Sequence, residues 1–283
     1  HDQTRRQRQM CIRDRKYFEQ FGCVIGDEAH LFKAKSLTSI MSKLHLCKYR
    51  FGLTGTLDDL QTHKLVLEGL FGTVNKVIST KELIEKKTLA NLKIDSLILG
   101  YKEQECKDVK NLKYADEMDY IVTHKKRLSF ITNLLGNVKG NVLVLYQFVE
   151  KHGKPLYDTI KEKYKNRNVF FVSGSVDALD REKIREISEK TNNAVIVASY
   201  GTFSTGINIK NLHNIIFSSP SKSKIRVLQS IGRGLRLNDN KEMCKLFDIA
   251  DDLTYKGKQN FTLRHFMERI NIYNEEQFDY TIH

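Results

Sequence analysis

The sequence predicts an α/β protein made of two doubly wound parallel-sheet lobes, the first of them incomplete. Three observations carry that expectation. Short apolar runs alternate with segments of three- and four-residue apolar periodicity, as strands and helices do along a parallel sheet. A polar stretch without apolar period, residues 101–113, divides the alternation into two series. Several apolar runs end in acids, or in glycine and hydroxyl residues, as strands do where an α/β sheet opens onto its ligand.

The chain has 283 residues, room for about two domains. Hydrophobic residues make up 40% of it, enough for a packed core and against wholesale disorder. Lys and Arg number 47 against 34 Asp and Glu, a formal charge of +13. That balance favours a polyanionic partner, nucleic acid first; a merely basic protein is the alternative. Cys11, Cys23, Cys47, Cys106 and Cys244 are scattered without metal-ligand spacing, and they read as reduced and buried in a cytoplasmic protein. No apolar run reaches the roughly 18 residues of a membrane span, and no signal peptide is recognisable.

Residues 1–16 differ in character from the rest of the chain. Arg5, Arg6, Arg8, Arg13 and Arg15 stand among little apolar periodicity. They read as a nucleic-acid-binding arm or as a non-native appendage, and the second reading is preferred. Residues 1–15 carry five Arg and two Asp, which leaves +10 on the rest of the chain, so the charge argument does not depend on them.

The first lobe is expected over residues 17–104. Cys23 to Ile25 reads as a short buried strand that ends in Asp27 and Glu28. Desolvating a charge is costly unless it is paired or metal-bound, so two acids at a strand end suit a magnesium nucleotide site. One carboxylate would hold the metal and the other would orient or deprotonate water. A strand running into a polar turn is the plainer reading. Leu37, Ile40, Met41 and Leu44 mark a helix. Tyr49 to Leu53 alternates as a strand and ends in Thr54-Gly55-Thr56, hydroxyls able to reach a phosphate, or simply a turn. Leu60 to Leu70 reads as a helix and Leu92 to Leu99 as a strand.

Residues 101–113 are the candidate linker, and the second lobe is expected over 105–283. A helix is expected from about Tyr114 to Leu135, with Ile121, Leu128, Ile131 and Leu135 inward. Val142 to Tyr146 is a continuous apolar strand, and Pro155 suits the first turn of the next helix. Val169 to Val172 is a strand that leads into Ser173-Gly174-Ser175. The helix from about Leu179 is expected to bury Ile184 and Ile187. Ala194 to Ala198, Ile215 to Phe217 and Leu246 to Ile249 are further strands, and the last helix, near Thr262 to Tyr273, turns Phe266 and Ile270 inward.

Two stretches resist a purely structural reading. Gly201, Thr202, Ser204, Gly206 and Asn208 follow a buried strand, and a loop of glycines and hydroxyls there can meet phosphate oxygens; a polar loop is the alternative. Gln229, Arg233 and Arg236 fall on one face of a helix whose other face carries Ile225, Leu228, Ile231 and Leu235. Gly232 and Gly234 cost roughly 1 kcal/mol each in a helix interior, which suggests close approach of a backbone or a ligand. Paired arginines suit phosphate charge in a transition state, and a solvated basic face is the bland reading.

Together Asp27-Glu28-Ala29-His30, Thr54-Gly55-Thr56, the 201–208 stretch and Gln229-x-x-Gly232-Arg233-x-x-Arg236 resemble, in order and spacing, the motifs of superfamily 2 helicases of the DEAH-box type. The resemblance implies two RecA-like lobes with ATP in the cleft between them and DNA crossing both. It implies Asp27 on magnesium, Glu28 as catalytic base and His30 coupling the lobes. Thr54, Gly55 and Thr56 would link hydrolysis to DNA movement. Gly201, Thr202, Ser204, Gly206, Asn208, Ser173 and Gly174 would touch nucleotide or DNA. Gln229, Arg233 and Arg236 would face the γ-phosphate. Within the family the likeness is to phage recombination helicases, which unwind branched DNA such as R-loops, Holliday junctions and stalled forks. That implies the host cytoplasm, DNA or an RNA–DNA hybrid as partner, and no membrane.

Two departures stand out. Asn208 occupies a position where many relatives carry Asp. No G-x-x-x-x-G-K-[ST] stretch occurs; Gly153-Lys154 comes nearest, with Phe148 in the first glycine position and Pro155 following. The expectation is a chain truncated ahead of Asp27, and weak ATP binding by these residues alone. A translocase of another branch, an RNA helicase or restriction-type motor, and a nucleic-acid-binding segment without catalysis are the competing readings.

Overall fold

The computed structural model describes residues 15–57, 61–206, 209–238 and 241–283; the basic arm, up to residue 14, lies outside them. Contacts gather into two units, His1–Val77 and Ile78–His283.

In the first unit, α1 (Arg15–Glu19) precedes β1 (Cys23–Gly26), a 3-10 turn over Ala29–Lys33, α2 (Lys35–Lys43), β2 (Tyr49–Gly52) and α3 (Gln61–Phe71). Arg15 and Lys16 therefore open a helix, and Phe18 behind them is buried with Met41, Leu44 and Cys47. The two strands pair in parallel, Cys23 opposite Tyr49 and Gly26 opposite Gly52. Rings of Phe32 and Phe71 meet edge to face, 5.1 Å apart. A Cβ at Gly26 would lie 2.9 Å from both rings, so glycine there is a requirement of packing. The expected burial of Cys23 to Ile25 is not met, because alternate residues of a sheet covered on one face turn outward. Cys23 is exposed, and Ile25, Tyr49 and Phe51 are 65%, 54% and 52% exposed.

The second unit is built on seven parallel strands. They are β3 (Asn91–Gly100), β4 (Val142–Tyr146), β5 (Asn168–Val172), β6 (Ala194–Ser199), β7 (Asn214–Phe217), β8 (Met243–Asp252) and β9 (Tyr280–Ile282), in spatial order β5-β6-β4-β7-β8-β3-β9. The described helices are α4 (Thr80–Glu85), α5 (Glu103–Val109), α6 (Tyr114–Thr123), α7 (Lys125–Leu134), α8 (Lys154–Lys163), α9 (Ala178–Lys190), α10 (Tyr200–Gly206), α11 (Lys224–Gly234) and α12 (Phe261–Glu275). Every residue of β4 is fully buried. Its Leu143 and Leu145 join one core with α10, α11 and α12, while Val142, Val144 and Tyr146 join another with α7 and α8. That period of two, apolar on both faces, is what a doubly wound sheet demands.

Four expectations change. The contact division falls at Val77/Ile78 and not near residue 104, because β3 runs in register with β8 over ten residues, Asn91 opposite Met243 to Gly100 opposite Asp252. The supposed linker holds α5, whose Cys106 and Val109 are buried with Ile121 and Leu253. Its start is held by Glu105, which accepts the Lys102 N–H at 3.0 Å. The long helix over 114–135 is two helices, because His124 leaves helical dihedrals (ψ 115°) and its Nδ1 accepts the Arg127 N–H. In α9, Ile187 is 40% exposed while Ser188 is fully buried.

Candidate functional site

The sharp end of β1 sets the geometry of the first unit's motifs. Asp27 and Glu28 are both exposed. Asp27 Oδ1 accepts the Glu28 N–H at 2.8 Å. Glu28 itself sits at φ 49° and ψ 49°, a left-handed conformation that costs a non-glycine residue about 1–2 kcal/mol. Two backbone bonds hold the turn: Leu53 N–H donates to Gly26 O and Ala29 N–H to Leu53 O, each at 2.8 Å. These bring Thr54-Gly55-Thr56 alongside.

His30 is the joint between the two motifs. It is buried, and its Nδ1 lies 2.9 Å from Thr54 Oγ1 and 3.3 Å from Glu28 Oε2. The Thr54 hydroxyl donates to Thr56 O at 2.7 Å and takes the Thr56 N–H at 3.3 Å. With its one proton spent, Thr54 Oγ1 must accept from His30, so the imidazole carries its proton on Nδ1, facing both Thr54 and the Glu28 carboxylate. Thr56 Oγ1 is buried with no hydrogen-bond partner among the described residues. Asp27 fits a magnesium ion as a hard oxygen donor on a solvent-facing turn. No cluster of three or more His, Cys, Asp or Glu exists among the described residues, and magnesium often takes only one or two carboxylates, with water and phosphate completing its shell.

In the second unit the remaining motifs follow the carboxyl ends of β5, β6 and β7. The expected glycine–hydroxyl loop is the helix α10. Ser199 caps it, Oγ accepting the Thr202 N–H at 3.1 Å and lying 2.8 Å from Thr202 Oγ1. Thr202 is buried, so its hydroxyl serves the fold, whereas Gly201 is exposed. Gly206 ends α10; the side chain of Ser204 and the whole of Asn208 lie outside the described residues. After β5, Ser173 Oγ meets Ser175 Oγ at 2.7 Å and Gly174 is exposed. A Cβ at Gly174, Gly201 or Gly232 would meet nothing within 4 Å, so the space beside each Cα is open.

Gln229 and Arg233 lie one turn apart on α11, and Arg236 follows two residues beyond its end, all three half-buried. The Arg233 guanidinium stands over the Phe203 ring at 5.4 Å, and Arg226 over Tyr200 at 5.6 Å. The arginine helix and α10 are thus joined by cation–π contacts. Of the two glycines in α11, Gly234 is required by packing, since a Cβ would lie 2.4 Å from Ile215 Cδ1. Its neighbours are core side chains, not a backbone or a ligand.

Sequence reasoning missed the buried ionic frame under this surface. Arg269 donates to both Asp248 oxygens, at 3.0 and 2.9 Å, and to Ser221 O at 2.8 Å, and the Tyr273 hydroxyl donates to Asp248 Oδ2. Burial works against the Arg269 charge, and Asp248 outweighs it and raises the pKa. Arg127 donates to Asp251 Oδ1 at 2.8 Å and to Ser218 O at 2.7 Å. His152 Nδ1 lies 2.8 Å from Ser219 Oγ, and burial, with Arg127 nearby, holds its pKa well below the usual value. The Tyr200 hydroxyl donates to Ser219 O. Four side chains from different elements therefore grip residues 218–221, the exit from β7 toward the arginine helix. Glu117 is another buried acid; it accepts the Phe261 and Thr262 N–H groups at 2.9 and 2.7 Å and so caps α12. The signal for this frame was available: acids inside the apolar run of β8 break the same rule that marked Asp27.

Residues 126–238 match the family described as "Helicase conserved C-terminal domain". The chain is 36% identical over 281 residues to the ATP-dependent DNA helicase uvsW of Enterobacteria phage T4, covering 95% of this chain and 55% of that protein. It is 27% identical over 243 residues to a probable helicase of Escherichia phage T5, covering 84% of this chain and 50% of that one. The crystal structure of T4 UvsW superposes with a TM-score of 0.60 at 35% identity, over 97% of this chain and 56% of that one. The chain spans about half the length of these relatives. With those likenesses and a seven-stranded parallel sheet of RecA-like build, the chain closely resembles the superfamily 2 helicases, UvsW among them.

Proposed function

We propose that the chain is the motor part of an ATP-dependent DNA helicase that acts on branched DNA, R-loops, Holliday junctions and stalled forks among them, in recombination, repair and replication. The first unit then belongs to the ATP-binding lobe and the second is the C-terminal helicase lobe. The observation that carries this reading is the 36% identity to a protein named as an ATP-dependent DNA helicase.

In this reading Asp27 holds magnesium, which supplies charge neutralisation at the phosphates when bound. Glu28 orients and deprotonates water. His30 passes the state of that carboxylate to Thr54 and Thr56 through its Nδ1 proton. Gln229, Arg233 and Arg236 meet the charge that develops on the transferred phosphate. Gly174, Gly201 and Gly232 leave room for nucleotide or DNA to approach. The test is ATP turnover by the intact protein with forked DNA, linear duplex and RNA as stimulators. Stimulation by forked DNA above the other two supports the reading. Preference for RNA or linear duplex moves the chain to another branch of the superfamily, and no stimulation leaves a binding segment.

A further inference from the structure

The last carbonyls of a helix have no partner within it. At the end of α11, three consecutive carbonyls, those of Gly234, Leu235 and Arg236, find partners elsewhere in the second unit. Leu235 O accepts the Ala90 N–H at 2.8 Å. Gly234 O and Arg236 O are both taken by the ammonium of Lys241, the second at 3.0 Å. The same Nζ reaches Lys210 O at 3.3 Å, just beyond the 201–208 stretch. Lys241 is 3% exposed. Burial lowers its pKa, against the opposing pull of Cys244 and Glu189, and its hydrogen bonds among the described residues go to backbone carbonyls. A buried ammonium is an expensive way to close a helix end that glycine or solvent could close. What it adds is geometry: three donors on one atom fix three carbonyls on two separate backbone segments at once, whereas surface caps fix one.

We propose that Lys241 is a positioning residue for Arg236, clamping the carbonyls of Gly234 and Arg236 against that of Lys210, so that the arginine-bearing helix end and the backbone at Lys210 keep one spacing. The inference rests on the reading that Arg233 and Arg236 serve ATP hydrolysis. Lys241 touches neither substrate nor metal in this proposal; it acts through the backbone on which Arg236 stands.

The experiment compares Lys241→Met, Arg236→Ala and the double variant in the intact protein, with forked DNA as stimulator. Lys241→Met should lower kcat by about a hundredfold, the scale of an ångström-sized misplacement, with KM for ATP and affinity for forked DNA within about twofold of the parent. In the Arg236→Ala background the same change should add little, because two residues that act as a unit are not additive. A purely structural lysine would give full additivity, or a loss of folding in both Lys241→Met and Lys241→Gln, and either result overturns the proposal. Normal turnover in Arg236→Ala would instead sink the reading of the arginines. Low turnover in Arg236→Ala with normal turnover in Lys241→Met would sink only the clamp.

Discussion

His30 Nδ1 lies 2.9 Å from Thr54 Oγ1, across 24 residues of chain. That bond joins a carboxylate turn to a hydroxyl turn, since the same nitrogen is 3.3 Å from Glu28 Oε2. If it transmits, His30→Ala and Thr54→Val should each lower DNA-stimulated turnover and unwinding more than ATP affinity. Their effects should overlap, with a coupling energy of about 0.5–3 kcal/mol. A double-mutant cycle on turnover checks this, and additivity would assign the bond to folding alone.

Glu28 combines strain with exposure. Its left-handed conformation (φ 49°) is one that glycine adopts freely. Glu28→Gly should therefore raise stability by up to about 1 kcal/mol while abolishing turnover. Glu28→Gln keeps the shape, removes the base and should cost about a hundredfold or more in kcat with ATP binding retained. Denaturant unfolding and steady-state ATP turnover measure the two halves. A Glu28→Gln variant with near-normal turnover would remove the catalytic assignment.

What was legible in the sequence followed one rule and failed where a second competed with it. Continuous apolar runs such as Val142 to Tyr146 became strands buried on both faces, because an apolar run with no polar alternation has no face to offer water. The break at His124 was not legible, since apolar periodicity continues through it and the break rests on the extended backbone of His124, whose imidazole caps the next helix by accepting the Arg127 N–H. The place of β3 was equally hidden: pairing with β8, far along the chain, is a long-range choice that local pattern cannot encode. The motif residues were found from charge and glycine in the wrong places. Lys241, Asp248, Asp251 and Arg269 bear the same mark, but one buried charge reads as surface until its partner is known.

Arg233 and Arg236 differ in how they are held, and that separates their predicted effects. Arg233 leans on the Phe203 ring, while Arg236 depends on the backbone after α11. Arg233→Ala and Arg236→Ala should each reduce turnover, on the order of a thousandfold for a residue acting on transition-state charge. Phe203→Leu should reproduce part of the Arg233 loss and none of the Arg236 loss. Forked-DNA affinity should stay within a few-fold in all three. Lost DNA affinity at normal turnover would move this helix face to the nucleic acid.

The net charge predicts a salt law. The chain carries +13, of which +10 lies outside residues 1–15. DNA binding should survive deletion of those residues, and the logarithm of the association constant should fall linearly with log salt concentration, with a slope near −0.9 per phosphate neutralised. Fluorescence anisotropy at several salt concentrations reads the slope. Salt-independent binding would contradict an electrostatic interface.

Acid should weaken the second unit before it reaches the carboxylates. Burial lowers the pKa of His152 well below its ordinary 6.5, and lowers those of His213 and His265 as well. A depressed folded pKa means that the unfolded chain binds protons first as pH falls. The stabilisation from keeping these rings neutral is thus fully present above about pH 6.5 and is lost as pH drops from there toward the folded values. Each histidine can cost up to about 1.4 kcal/mol per pH unit across that window. The melting temperature should accordingly fall between pH 7 and pH 5. His152→Gln keeps a polar partner for Ser219 without a titrating ring, so it should flatten the curve by roughly one proton's share. Thermal unfolding of parent and variant at closely spaced pH values measures the slopes. Equal slopes would show that His152 gains its proton in the folded state, and its bond to Ser219 would then have to be rebuilt around an imidazolium donor.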